Sequence, residues 1–331
     1  MAIIEVEPDI VFESQEAQSI LDAALDAGLF FPYSCKTGRC NSCMCQVRSG
    51  ETRLLHEEQA LTDEQRRAGW ILGCARTAQG TLRLGCVDVF PFQLPSPKTL
   101  PCRINAIEWF SPDLVRVVLR LPPGQELSYL AGQYIDVIKD GVSRSYSIAN
   151  APRSDRTIEL HIKRFEAGVL SSYWFGHAQK NDLLRLRGPL GTFFLRNLVD
   201  RDVIFLSTGT GYAPVKAMLE QLQSSFNELK PRSVTIYRGA RMETDLYSDA
   251  PALGIPVRYV PVLSRPGSAW TGARGYVQDI CLAAKPDLSN TVFYACGSDQ
   301  MIADAKNKLV TAGLEPGQFF SDAFVRSGSS L

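Results

Sequence analysis

Cys35-Lys36-Thr37-Gly38-Arg39-Cys40-Asn41-Ser42-Cys43 places three thiols within nine residues, and Cys74 follows with thirty residues between. The Cys-x4-Cys-x2-Cys spacing with a distant fourth cysteine is that of a plant-type [2Fe-2S] site. Such a cluster carries negative charge on its sulfides, so it needs four thiolates and a tight loop whose backbone N–H groups point at sulfur. Ser34, Thr37, Gly38, Asn41 and Ser42 supply a loop of that kind. A tetrahedral zinc site is the competing reading, although its spacings rarely include an x4 arm. Cys45 could replace Cys43 and Cys86 could replace Cys74; both are expected to be buried small residues instead. Asn41 stands where glycine follows the second cysteine in the common form of the motif, which leaves the loop geometry open there.

Around this loop lie short strand-like runs, Ile3 to Val6 and Thr81 to Leu84, and one amphipathic helix, Ser19 to Ala27, with Ile20, Leu21, Ala24 and Leu25 on one face. The stretch Pro91 to Pro101 then holds four prolines in eleven residues and reads as an extended linker. With 331 residues, two or three domains are expected. The 35 basic and 35 acidic residues balance, which argues against a nucleic-acid surface as the main business of the chain. Residues 1–90 nevertheless carry eight Lys/Arg against thirteen Asp/Glu, so an acidic front module precedes a basic remainder. The chain starts without a basic, apolar leader and has no run of about 18 apolar residues, so a cytoplasmic protein without membrane insertion is expected. Five of the nine cysteines fall in the first quarter, which favours metal or cluster ligation over a disulfide framework.

From Cys102 to Leu195 the pattern becomes short and β-rich, with Val115 to Leu119, Tyr134 to Ile138, Ser145 to Ile148 and Ile158 to Ile162 separated by turns. An antiparallel barrel closes such a set. Within it, Arg144-Ser145-Tyr146-Ser147 combines a guanidinium for a pyrophosphate, a ring to lie on an isoalloxazine and a hydroxyl near its N5. Lys163 and then Gly168-Val169-Leu170-Ser171, opening a helix, offer an anion site for the second phosphate.

After Asp200 strands and helices alternate, the signature of a doubly wound parallel sheet. Val203 to Leu206 runs through Gly209-Thr210-Gly211 into a helix from about Ala213, the strand–turn–helix context of a phosphate loop. A second apolar strand ends in Ala295-Cys296-Gly297, placing Cys296 at the carboxyl edge of the sheet where open α/β folds bind ligands. Arg238 and Arg241, mixed with Glu243 and Asp245, are candidates for the adenosine ribose and lean toward NADH over NADPH. His56, His161 and His177 form neither a metal spacing nor a hydrolytic triad.

In this order the three motif sets resemble the single-chain ferredoxin-NAD(P)H reductases of the ferredoxin-NADP reductase superfamily, across the whole chain. The resemblance implies a multidomain α/β protein: an amino-terminal β-grasp plant-type ferredoxin over 1–92, an antiparallel β-barrel flavin domain over 101–196 and a doubly wound α/β NAD domain over 200–331. It implies cluster ligands Cys35, Cys40, Cys43 and Cys74; Arg144 on FAD phosphate, Tyr146 on the flavin ring and Ser147 by N5. Gly168 and Ser171 would meet the pyrophosphate, Thr210 and Cys296 the nicotinamide, and Phe324 the other flavin face. The implied activity carries electrons from NADH through FAD and [2Fe-2S] to an acceptor protein. Ser19 to Leu25, Tyr33 to Lys36, Leu61-Thr62 and Ser321 to Phe324 point within the family to CDP-6-deoxy-Δ3,4-glucoseen reduction for 3,6-dideoxyhexose biosynthesis, with a pyridoxamine-phosphate-dependent sugar dehydratase as acceptor. Reductase components of aromatic-ring or multicomponent oxygenases share nearly all these residues and are the alternative. A redox-sensing regulator would need an output module, and none is visible.

Overall fold

The computed structural model describes residues 1–86, 88–166, 168–248 and 255–324. They form two compact units, Met1–Pro95 and Ser96–Phe324.

The first unit is a β-grasp. Its sheet runs in the order Ile10–Ser14, Ala2–Val6, Arg76–Cys86, Met44–Leu54, Trp70–Leu72, with the Ala2–Val6 and Arg76–Cys86 pair parallel at the centre. The helix Ile20–Asp26 forms where the sequence places it, because the Ser19 hydroxyl accepts the Asp22 N–H at 3.0 Å and caps its start. Its buried face, Ile20, Leu21, Ala23 and Ala24, packs with Ile4, Val6, Leu82 and Leu84 in one core.

The proline-rich linker is shorter than its composition suggests. Phe90–Pro91 pairs with Leu29–Phe30, and the next strand already begins at Lys98 and contains Pro101. Pro101 faces Arg185 on one neighbour, while pairing with the other neighbour begins only at Arg103. A proline is tolerated where a strand is bonded on one side.

The second unit contains two sheets. The first is antiparallel, in the order Val142–Ser147, Tyr134–Lys139, Leu183–Leu190, Lys98–Ser111, Leu114–Arg120, Thr157–Lys163, and an Ile148 to Leu160 bridge joins its two edges into a barrel. Alternating residues such as Val115, Val117, Leu119, Ile135, Val137, Leu184 and Leu186 fill the interior. The second sheet is parallel, in the order Ala273–Arg274, Arg258–Leu263, Ser233–Ala240, Asp202–Thr208, Thr291–Ser298, Phe319–Phe324. The strand order reverses between Asp202–Thr208 and Thr291–Ser298, so a crevice for ligand opens at their carboxyl ends. Among the described residues no helix is long and apolar enough to cross a membrane.

Candidate functional site

The cysteine loop lies between Leu29–Phe30 and Met44–Leu54, and Cys74 sits in the turn between Trp70–Leu72 and Arg76–Cys86. Cys35 and Cys40 hydrogen-bond through their thiols, as do Cys43 and Cys74. The Thr37 N–H points at the Cys35 sulfur at 3.3 Å and the Cys35 N–H at the Cys40 sulfur at 3.4 Å. Hydrogen bonding from the Cys40 thiol, with help from the Thr37 and Arg39 amides, holds the Cys35 thiol well below its ordinary value. The Gly38 amide serves Cys74 likewise, second to the Cys43 thiol. Four sulfurs with amides converging on them are the donor set that a [2Fe-2S] cluster requires.

Asn41 answers the question its position raised. It adopts φ +58°, the left-handed region in which asparagine is among the best tolerated side chains, and its Nδ2 donates to the Ala60 carbonyl at 3.0 Å. The two spare cysteines face each other instead of the loop. Cys45 and Cys86 are directly opposite on neighbouring antiparallel strands, Cys45 fully buried and Cys86 half-buried rather than buried as expected. A hydrogen bond between these thiols, and then burial, pushes the Cys45 thiol well above its ordinary value, as the Cys74 thiol and burial do for Cys43. Spacing did not reveal Glu58. Buried, it accepts the Leu72 N–H at 2.7 Å and the Arg76 guanidinium at 2.8 Å, and so brackets Cys74 from both sides.

On the barrel, the strand Val142–Ser147 carries the predicted flavin residues. Arg144 is exposed, Tyr146 half-buried and Ser147 buried at the strand's end. Trp174 Nε1 donates to the Tyr146 hydroxyl at 2.9 Å with the rings edge to face, and burial pushes the Tyr146 phenol up to about 12. Trp174 belongs to the helix Val169–Gly176, so this contact joins the strand to that helix. Gly168 begins the helix with no side-chain cap, leaving first-turn N–H groups without a side-chain partner. The Ser171 hydroxyl accepts the Phe165 N–H at 2.7 Å and pins the preceding loop, while Lys163 is exposed, 3.6 Å from Asp113.

On the parallel sheet, Gly209–Gly211 forms one turn of 3₁₀ helix that runs into the helix Tyr212–Ser224, again with no side-chain cap. A β-carbon on Gly211 would lie 2.2 Å from the Cys296 carbonyl oxygen, and one on Gly297 would lie 2.1 Å from Thr208 Oγ1. The turn and the Cys296-Gly297 strand end thus touch backbone to backbone, a cradle that only glycine permits. Thr210 is half-buried on this turn and Cys296 is fully buried, its thiol pushed up by burial. The Ser207 hydroxyl, just before the turn, is buried without a hydrogen-bond partner. Phe324 is half-buried opposite Ser298, one residue from Gly297.

Arg238 departs from expectation. It is 2% exposed, stacks on the Tyr212 ring at 3.8 Å and gives its guanidinium to the carbonyls of Tyr247 and Ser248. Turned inward by that aromatic pair, it is committed to the protein and not presented to a ribose; Arg241, Glu243 and Asp245 are the exposed groups there.

Comparison with known proteins agrees with this order of sites. The 2Fe-2S iron-sulfur cluster binding domain matches residues 4–79, the oxidoreductase FAD-binding domain 101–195 and the oxidoreductase NAD-binding domain 205–307. The CDP-6-deoxy-L-threo-D-glycero-4-hexulose-3-dehydrase reductase of Yersinia pestis is 44% identical over 323 residues, 96% of each chain. Protein RfbI of Salmonella typhimurium is 36% identical over 99% of this chain and 98% of its own. The crystal structure of the Amycolatopsis cytochrome P450 reductase GcoB superposes with a TM-score of 0.76 at 25% identity, covering 99% of this chain and 100% of that one. With thiol loop, barrel and glycine turn in one polypeptide and near full-length identity of 44%, the chain belongs to the ferredoxin-NAD(P)H reductase superfamily, as an NAD(P)H-dependent iron-sulfur flavoprotein oxidoreductase.

Proposed function

We propose that this protein takes electrons from NADH and delivers them singly to a pyridoxamine-phosphate-dependent sugar dehydratase, reducing a CDP-6-deoxy-Δ3,4-glucoseen on the way to a 3,6-dideoxyhexose. The observation that carries this reading is the 44% identity, over 96% of both chains, to a reductase named for a CDP-hexulose dehydrase. The second reading, an oxygenase as acceptor, draws on the whole-chain likeness to a P450 reductase at 25% identity. The larger identity, 44% against 25%, with both matches spanning at least 96% of each chain, favours the sugar dehydratase.

In this reading the chain has three functional segments, 1–92, 101–196 and 200–331. Cys35, Cys40, Cys43 and Cys74 hold the cluster. Arg144 and the uncapped helix start at Gly168, with Lys163 and Ser171 beside it, hold the FAD phosphates; Tyr146 lies against the ring and Ser147 sits by N5. Gly209, Thr210 and Gly211 receive the dinucleotide phosphates on a second uncapped helix start. Cys296 and Gly297 floor the nicotinamide crevice, and Phe324 covers the flavin's other face. When bound, the flavin takes both electrons of a hydride and the cluster accepts them one at a time. The residues' share of the work is orientation and exclusion of water. NADH is favoured over NADPH because a 2′-phosphate needs a free guanidinium, and Arg241 stands among the exposed carboxylates of Glu243 and Asp245. Purified holoprotein should bleach its flavin and iron–sulfur absorbance on anaerobic NADH addition, faster than with NADPH. Turnover with the sugar dehydratase, scored by product, should exceed turnover with an oxygenase component; the reverse ranking would replace the first acceptor by the second.

A further inference from the structure

Between barrel and parallel sheet, inside the second unit, lies a buried charged network that the reaction as described does not use. Glu159, on the barrel strand Thr157–Lys163, is 2% exposed. Its carboxylate receives Arg116 at 2.9 Å, His161 Nε2 at 2.9 Å and Lys216 at 3.2 Å. Lys216 comes from the helix that starts at the glycine turn. It also donates to the Ala149 carbonyl at 3.0 Å and pairs with Glu220 at 2.7 Å. Glu220 in turn accepts the Ala151 N–H at 3.0 Å.

The elements joined here are not arbitrary. Ala149 is two residues beyond Ser147, where the flavin strand ends, and Lys216 is six residues beyond Thr210 on the turn assigned to the nicotinamide. Two packed domains of one chain hinge by default unless something fixes them. A carboxylate buried among several cations resists displacement, since pulling one partner away strands a charge.

We infer that Lys216, seated between Glu159 and Glu220, is a positioning residue that fixes the flavin-bearing strand against the helix of the nicotinamide crevice and so sets the hydride-transfer distance. This rests on the proposed NADH-to-FAD reaction, in which the nicotinamide C4–H bond breaks, the flavin N5–H bond forms and oxidised NAD departs. In that reaction Lys216 acts through Ala149 and its own helix. An error of about 1 Å in such an approach costs on the order of a hundredfold in rate.

The test is full-chain Lys216→Met, with Lys216→Arg as the charge-keeping variant, both loaded with FAD and cluster. Anaerobic stopped-flow mixing with NADH and with its 4-deuterated form should show at least about a tenfold slower flavin reduction and a larger isotope effect in Lys216→Met. Dissociation of NADH should change less than about threefold, and Lys216→Arg should recover most of the rate. Independently of turnover, amide exchange at Ile148 to Ala151 should quicken in Lys216→Met. A hydride-transfer rate within twofold of the parent, or a loss that Lys216→Arg fails to repair, overturns the assignment. Failure of the parent protein itself to be reduced by NADH would sink the proposed reaction instead; amide exchange then still decides whether Lys216 fixes the strand, and unchanged exchange would refute it.

Discussion

The cysteine loop and the glycine turn solve opposite problems with the same backbone donors. In the loop the chain brings its own sulfur donors at Cys35, Cys40, Cys43 and Cys74, and amides from Thr37, Gly38 and Arg39 converge on those sulfurs. At the turn no side chain caps the helix Tyr212–Ser224, and glycines let turn and strand end meet. The loop is therefore specified by which atoms are present, the turn by which atoms are missing. A substitution in the first deletes a ligand, whereas one in the second adds an obstruction.

Cys43→Ser tests the first half of that contrast and carries the largest expected effect. It should abolish the [2Fe-2S] absorbance and iron content while anaerobic NADH still reduces the flavin; full iron in the variant would mean that Cys45 ligates instead. Gly211→Ala tests the second half. Its new methyl group meets the Cys296 carbonyl, which is backbone and cannot swing aside. Flavin reduction by NADH should fall about a hundredfold or more, and stability by about 1–3 kcal/mol, with the iron–sulfur spectrum unchanged. Normal reduction kinetics in Gly211→Ala would show that the cradle tolerates a side chain.

The same contrast explains what could be read without coordinates. Ligand spacing is local, so Cys35, Cys40, Cys43 and Cys74 stood out as a set, and the barrel and parallel sheet followed from apolar period and turn residues, whereas the β-grasp came only from the family resemblance. The helix Ile20–Asp26 and the strands Thr157–Lys163 and Asp202–Thr208 fell within a residue or two of their expected bounds. What stayed hidden depends on partners distant in the chain. Arg238 reads as a ribose contact until Tyr212 and Tyr247 turn it inward, and Glu58 and Glu159 look like ordinary charges until their arginine and lysine partners fold over them. Trp174 has no motif; only the bond to Tyr146 marks it.

Tyr146→Ala sharpens the barrel side of the comparison with a smaller effect. Removing a half-buried ring assigned to flavin packing should weaken FAD about ten- to a hundredfold, since burying an aromatic face of this size contributes roughly 1.5–3 kcal/mol. Equilibrium dialysis of the refilled protein measures it. Tyr146→Phe should lose less, because only the hydrogen bond from Trp174 disappears. Wild-type FAD affinity in Tyr146→Ala would move the ring-packing role elsewhere.

The smallest effect belongs to Cys45→Ala, and it is the most discriminating control for the loop. Cys45 lies two residues from Cys43, yet it sits inside the Met44–Leu54 strand directly opposite Cys86, whereas Cys43 precedes that strand. Replacing it by alanine removes one sulfur from a closed core and should cost about 1 kcal/mol, read as a small fall in melting temperature. Iron content, cluster spectrum and flavin reduction should match the parent. Loss of iron from Cys45→Ala, with Cys43→Ser retaining it, would exchange the two thiols' roles.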